Sequence, residues 1–170
     1  WAAEKKPNMV FVLVDDHAFE AISAYGTYLK DFAKTPTIDR LGSEGMRFDH
    51  FTCANSICSP SRASILTGQY SHKNGVRGLN GKINEDSPQY PVELQKTGYQ
   101  TWLVGKWHLG NGSRYHPARQ GYDFAAVING PHLPGRYRVQ GRPDLNPRTG
   151  QYRPGVAADL CNDFIRNSTT

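Results

Sequence analysis

Three clusters of reactive side chains stand out in the 170-residue sequence: Asp15 with Asp16, Cys58 with Arg62, and Lys106 with His108. Adjacent carboxylates offer hard oxygen donors, which suit calcium or magnesium far better than zinc, and no Cys/His pair stands at zinc spacing. An arginine and a lysine beside a histidine can hold an oxyanion and protonate a leaving group. Together the three clusters outline an ester-hydrolysis site. Taken singly, each has a plainer explanation: paired aspartates also make turns and helix caps, and Lys106 and His108 alone would pass as surface residues.

The elements that must position these groups can be read from the surrounding text. The run "NMVFVLV", residues 8–14, is apolar, short and rich in β-branched and aromatic side chains, which predicts a strand buried on both faces and ending at the acid pair. Ligand sites in open α/β sheets lie beyond the carboxyl ends of strands. Residues 36–45 predict a short helix with Thr35 as N-cap, Pro36 in the first turn and a closing glycine. The stretch "SPSRASILTG" after Cys58 again places proline near a helix start and Gly68 at its end, so the cysteine falls at a helix N-terminus. Residues 91–97 predict a helix stopped by Gly98, "YQTWLVG" a strand running into Lys106, Trp107 and His108, "YDFAAVI" a further short strand, and "VAADLCNDFIR" a closing helix. This alternation of strand and helix is an α/β pattern. From 113 to 155 the text is loop-rich, and the predicted strands are too few to make a covered sheet, so the chain is expected to be part of a larger protein.

Composition narrows the field. No apolar run approaches a membrane span, and mean hydropathy is −0.62. Three cysteines cannot all pair, which excludes a disulfide scaffold; Cys53 and Cys161 read as ordinary small buried residues, because nothing around either would activate a thiol. The net charge of +5 points to an anionic partner, and seven arginines against Asp123 and Asp144 between residues 113 and 153 concentrate it in one segment. That segment is either a solvated loop or an anion-binding surface. Nucleic acid is the weakest partner, since no stacking aromatic platform accompanies the arginines. The start "WAAEKKPN" has the small-residue flavour left by removal of an export signal, which suggests a periplasmic or secreted location.

The residues around these clusters also resemble a known family. "SICSPSRASILTG", residues 56–68, is similar to the signature of the type I sulfatases, Cys-x-Pro-Ser-Arg followed by an apolar pair and Thr-Gly. "GYQTWLVGKWHLG", residues 98–110, resembles their second signature, ending in Gly-Lys-Trp-His. Both stand in the family's order behind the Asp-Asp segment; the resemblance is good over about residues 7–125 and loose beyond. It implies that residues 1–170 are the amino-terminal part of a catalytic domain with an alkaline-phosphatase-like, mostly parallel sheet flanked by helices, incomplete in this chain.

It also implies a chemistry. In the family a maturing enzyme reads Cys-x-Pro-x-Arg in the unfolded chain and oxidises the cysteine to formylglycine, whose hydrate attacks sulfur and later expels sulfate by elimination. Carried over, Asp15 and Asp16 would be calcium ligands, and Cys58, as formylglycine, both nucleophile and ligand. Arg62 would hold the modified side chain, Lys106 and His108 would bind the sulfate group, and Trp107 would pack. "DDHAFEAISAYG", "KTPTIDRLGSEGMRF" and "YSHKNGV" resemble bacterial N-acetylglucosamine-6-sulfatase-like enzymes acting on sulfated glycans, with His132 and the arginines after it as sugar-facing candidates. The family's later Asp-Asn or Asp-His pair and second Lys and His do not follow residue 110, and neither Arg142 to Asn146 nor the tail supplies them. Two carboxylates and one diol oxygen fall short of the roughly 6–8 oxygens that calcium prefers. Asn167-Ser168-Thr169 fits a glycosylation acceptor that matters only in a secreting eukaryote. Two alternatives stay open: a phosphomonoester or phosphonate hydrolase of the same superfamily, and a catalytically incomplete chain that only binds sulfated polyanions.

Overall fold

The structure, a computed structural model, describes residues 6–110, 112–128, 137–139 and 153–168. The chain forms two compact units, Trp1–Thr52 and Cys53–Thr170.

The first unit is built on two single 3₁₀ turns, Phe19–Ala21 and Ser23–Tyr25, and helix α1, Pro36–Glu44. The predicted strand at 8–14 is absent: Met9 to Val14 have no regular secondary structure and are 42–76% exposed. A strand exists only through a ladder partner, and no other strand lies among the described residues of this unit. Helix α1 starts where the proline and Thr35 predicted, but Thr35 makes no side-chain cap bond to the helix backbone. Its hydroxyl instead donates to Asp39 Oδ1 at 2.9 Å and accepts from the Ser23 amide at 3.0 Å, while the Ser23 hydroxyl donates to Asp39 Oδ2 at 2.6 Å. This triad fastens α1 to the second 3₁₀ turn.

The Ser23 hydroxyl, seconded by Thr35 and the Ala24 backbone, holds the Asp39 carboxyl below the usual carboxylate range. The folded state therefore binds fewer protons than the unfolded one. The stabilisation is complete above the ordinary carboxylate value and is lost as pH falls through the native one. Amide signals of Ser23 and Thr35, followed by NMR, should shift as the triad releases at a pH below the ordinary carboxylate range, and Asp39→Asn should remove that transition.

The second unit is an α/β layer structure. Helix α2, Cys58–Thr67, is followed by the single turn α3, Ser71–Asn74, and by α4, Tyr90–Lys96. Strands β1, Trp102–Lys106, β2, Phe124–Ile128, and β3, Tyr137–Val139, form a sheet in that order, and α5, Arg153–Ser168, ends the described chain. Strands β1 and β2 run parallel in register from Trp102–Phe124 to Lys106–Ile128, whereas β3 is antiparallel to β2. The β1–β2 pair is the parallel ladder expected, with the short antiparallel β3 at its edge. The crossover from β1 to β2 carries two 3₁₀ turns, Ser113–Tyr115 and Pro117–Arg119, in place of the usual helix.

Alternation along the strands divides the core in two. Ala125 and Val127 join Ala63 and Leu66 of α2, with Val76, Ile83, Trp107, Leu109 and Tyr122. Ala126, on the other face, meets Leu160 of α5 with Val104, Phe124, Val156 and Ala157 around it. Trp102 is stacked on that face between Phe124 and Phe164, with ring centroids at 4.0 and 3.6 Å. The sheet is therefore covered on both sides. Cys161 follows Leu160 by one position and is exposed, and Cys53, in the loop before α2, is exposed too. Neither is the buried residue that the sequence suggested.

One contact in this core is unforgiving. Gly121 has a φ of +86°, and a Cβ there would lie 2.4 Å from the Val92 amide nitrogen in the first turn of α4. Gly121→Ala would combine left-handed strain with a backbone collision. A loss of about 2–4 kcal/mol is expected, measured by chemical denaturation.

Candidate active site

Cys58 is the first residue of α2, behind the extended N-cap Ile57, which has φ −128° and ψ 145° and makes no side-chain cap bond. Gly68 ends the helix in the left-handed conformation, φ 65°, its amide donating to Ser64 O, as the Thr-Gly pair predicted. The N-terminal end of a helix carries partial positive charge, so residue 58 stands where an anionic group is favoured. Arg62 lies four residues on, on the same helical face. Its Nη1 donates to the backbone oxygen of Lys106 at 2.7 Å. This bond joins the helix that bears the cysteine to the carboxyl end of β1, the end at which open α/β sheets place their ligands.

Beyond that joint, burial alternates along the chain. Lys106 and His108 are half-buried, whereas Trp107 is 5% and Leu109 1% exposed. The Trp107 indole N–H donates to Tyr115 O at 2.8 Å, and its ring meets Tyr122 edge-on at 6.1 Å. Trp107 packs, as expected, and holds the segment while its two neighbours stay partly open. His108 has a φ of 59° and Asp16 one of 55°; among the described residues these are the only non-glycine residues in the left-handed region. Strained backbone of this kind gathers at functional sites, and both residues had been singled out for their chemistry.

The structure therefore brings Cys58, Arg62, Lys106 and His108 into one unit and bonds Arg62 to Lys106. Asp15 and Asp16 belong to the other unit, at a bend that closes the apolar run. Among the described residues no three His, Cys, Asp or Glu side chains gather as a metal-binding group. His132, Arg142 and Asn146 lie outside the described residues, as does most of the arginine-rich segment. Arg114, which is described, is ion-paired with Glu85.

Two residues of this region escaped the sequence reading. Ser59 and Asn74 are both fully buried. The Ser59 hydroxyl donates to Leu79 O at 3.1 Å, and Asn74 donates to Gln69 O at 2.9 Å while accepting the Val76 amide at 2.9 Å. The one local sign was the Asn74-Gly75 pair, a turn signal.

The fold is that of the alkaline-phosphatase-like α/β hydrolases, present here in part. The sulfatase family model matches residues 7–170. The chain belongs to the sulfatase family. It is 41% identical over 133 residues to an N-acetylglucosamine-6-O-sulfatase of Bacteroides thetaiotaomicron, covering 78% of this chain and 22% of that protein. It is 36% identical over 156 residues to the human N-acetylgalactosamine-6-sulfatase, covering 84% of this chain and 29% of the relative. The solved structure of BT4656 in complex with its substrate D-glucosamine-2-N,6-O-disulfate is similar with a TM-score of 0.81 and 34% identity, covering 96% of this chain and 32% of that one. The chain thus spans less than a third of the length of these proteins.

Proposed function

We propose that this chain supplies the nucleophile-bearing part of a sulfatase active site that removes sulfate from a sulfated carbohydrate, with a 6-O-sulfated amino sugar as the substrate class. The observation that carries the reading is the Arg62 to Lys106 bond, which couples the Cys58 helix to the strand end bearing Lys106 and His108. The substrate class is supported by the names of the relatives, both 6-sulfatases of N-acetylhexosamines, and by the disulfated glucosamine bound to BT4656. An exported location, periplasmic or extracellular, suits a glycan substrate.

Cys58 is read as the precursor of formylglycine, made by a maturing enzyme that acts before folding. The hydrated aldehyde supplies an oxygen nucleophile and an elimination route for sulfate. The chain's own groups do the rest. The α2 N-terminus places partial positive charge at the attacking position, and Arg62 keeps the modified side chain in register with β1. Lys106 holds the sulfate oxygens, and His108 gives a proton to the departing alcohol oxygen.

Calcium is the metal that the acid pair suits, but the described residues do not complete its shell. Asp15 and Asp16 are read as two of its ligands. Calorimetry on this chain should accordingly find calcium bound only weakly, with a Kd of about 1 mM or above, and weaker still after Asp15→Asn. A micromolar Kd would overturn the two-ligand reading.

The function is tested by mass spectrometry of the peptide containing residue 58, after co-expression with a maturing enzyme, and by rates on nitrophenyl sulfate and nitrophenyl phosphate. Formylglycine with a preference for the sulfate ester is expected. Preference for the phosphate ester would replace the sulfatase by a phosphatase. Binding of a sulfated oligosaccharide without turnover would favour the polyanion-binding alternative.

A further inference from the structure

We infer that Ser59 is a positioning residue: its buried hydroxyl, seated on a loop that Asn74 holds rigid, fixes the first turn of α2 and with it the orientation of residue 58. The consequence for turnover rests on the sulfatase reading above.

The first turn of a helix frays unless something satisfies or restrains it. Here the usual restraint is missing, for Ile57 has no side-chain acceptor to offer and makes no cap bond. Pro60, the third residue of the helix, has no amide of its own to add. A reacting group nevertheless has to be held to within about half an ångström.

The restraint comes from outside the helix. Ser59 and Pro60 are fully buried although they stand beside a half-open Cys58, and the Ser59 hydroxyl reaches Leu79 O, twenty residues along the chain, at 3.1 Å. Leu79 lies in the loop that returns from the far end of the same helix. Asn74 secures that return. Its Nδ2 donates to Gln69 O just past the helix end and reaches Thr67 Oγ1 at 3.5 Å, and its Oδ1 accepts the Val76 amide. Its backbone oxygen accepts the Asn84 amide at 3.0 Å, and Gly81 closes a turn on Gly78 O at 2.9 Å. A Cβ at Gly81 would lie 2.9 Å from Val76 Cγ1, so the loop has no slack on that side. Both ends of α2 are thereby fastened to one loop, anchored by the buried Asn74, Val76 and Ile83. The motif that a maturing enzyme reads, Cys-x-Pro-x-Arg, leaves position 59 unspecified, so the serine is free to serve the folded state.

The test separates presentation from chemistry. The chain produced without a maturing enzyme is alkylated with iodoacetamide and read peptide by peptide, the exposed Cys53 and Cys161 serving as internal references. Ser59→Ala should speed labelling of Cys58 by about threefold to tenfold, the effect of one lost hydrogen bond, and leave the two references unchanged. Ser59→Thr, which keeps the hydroxyl, should restore the rate. An unchanged Cys58 rate in a folded Ser59→Ala protein overturns the inference. Should that variant fail to fold, hydrogen exchange on the unsubstituted chain decides: protection of the Ser61 and Arg62 amides equal to that of the helix body supports the inference, and fraying overturns it. In converted enzyme, Ser59→Ala should keep the formylglycine fraction and KM while kcat falls about tenfold to a hundredfold; equal kcat overturns the inference. An unsubstituted enzyme that carries formylglycine and cleaves no sulfate ester would refute the sulfatase reading instead and leave the labelling result standing.

Discussion

On the proposed function, Cys58→Ala is expected to abolish sulfate-ester hydrolysis, with a loss on the order of 10⁴-fold or more, as when a nucleophile is deleted from any covalent mechanism. The expectation follows from place as well as type. Residue 58 opens α2, and the contacts that hold the helix, Arg62 to Lys106 O and Ser59 to Leu79 O, do not involve its side chain. Alanine should therefore leave the fold intact, and circular dichroism and melting temperature should match the parent. Cys58→Ser is the sharper control: it returns an oxygen at the same position without the aldehyde, so nearly unchanged activity in that variant would show that a simple hydroxyl suffices. An unaffected rate in Cys58→Ala would remove the nucleophile assignment altogether.

The second large effect is expected at Arg62, whose substitution should cost stability and turnover together. Its guanidinium donates to the oxygen of Lys106 from a half-buried position, linking residues forty-four apart in the chain. A hydrogen bond from a charged group is worth about 1.5–3 kcal/mol, and its removal loosens the join between α2 and the end of β1. Arg62→Ala should lower the melting temperature of the second unit by several degrees and reduce kcat by about 10²-fold or more, because Lys106 and His108 lose their registration with residue 58. Arg62→Lys keeps the charge but not the planar fork. It should recover part of the stability and little of the rate. A variant that melts early yet turns over normally would mean that Arg62 holds the fold and not the site.

The part of this architecture that could be read from the residues was the part encoded locally. Cys58 and Gly68 bound a helix because proline in its first turn and a left-handed glycine beyond its last both act within a few residues. Strand β1 ends at Lys106, as the apolar run into the Lys-Trp-His segment implied, although it begins at Trp102 and not at Tyr99. What failed depended on distant partners. Residues 8–14 have every local mark of a strand, yet pairing is a property of two segments, and propensity says nothing of whether the second is present. Thr35 sits at the predicted cap position but spends its hydroxyl on Ser23 and Asp39, twelve and four residues away. Ser59 is a small polar residue between two conspicuous ones, and its significance rests on a carbonyl twenty positions on. Cys161 was judged by residue type when its place on α5, one step past Leu160, decides its exposure.

The segment from Met9 to Val14 has a consequence for handling the protein. Six successive apolar residues, rich in valine and phenylalanine and lacking proline or charge, are 42–76% exposed, and such a stretch is a template for intermolecular cross-β stacking. What restrains it is its borders: Lys6 and Pro7 on one side, Asp15 and Asp16 on the other, the kind of flanking residues that act as gatekeepers against fibril growth. Neutralising both aspartates is therefore expected to promote turbidity in concentrated, salty solutions even where calcium is withheld.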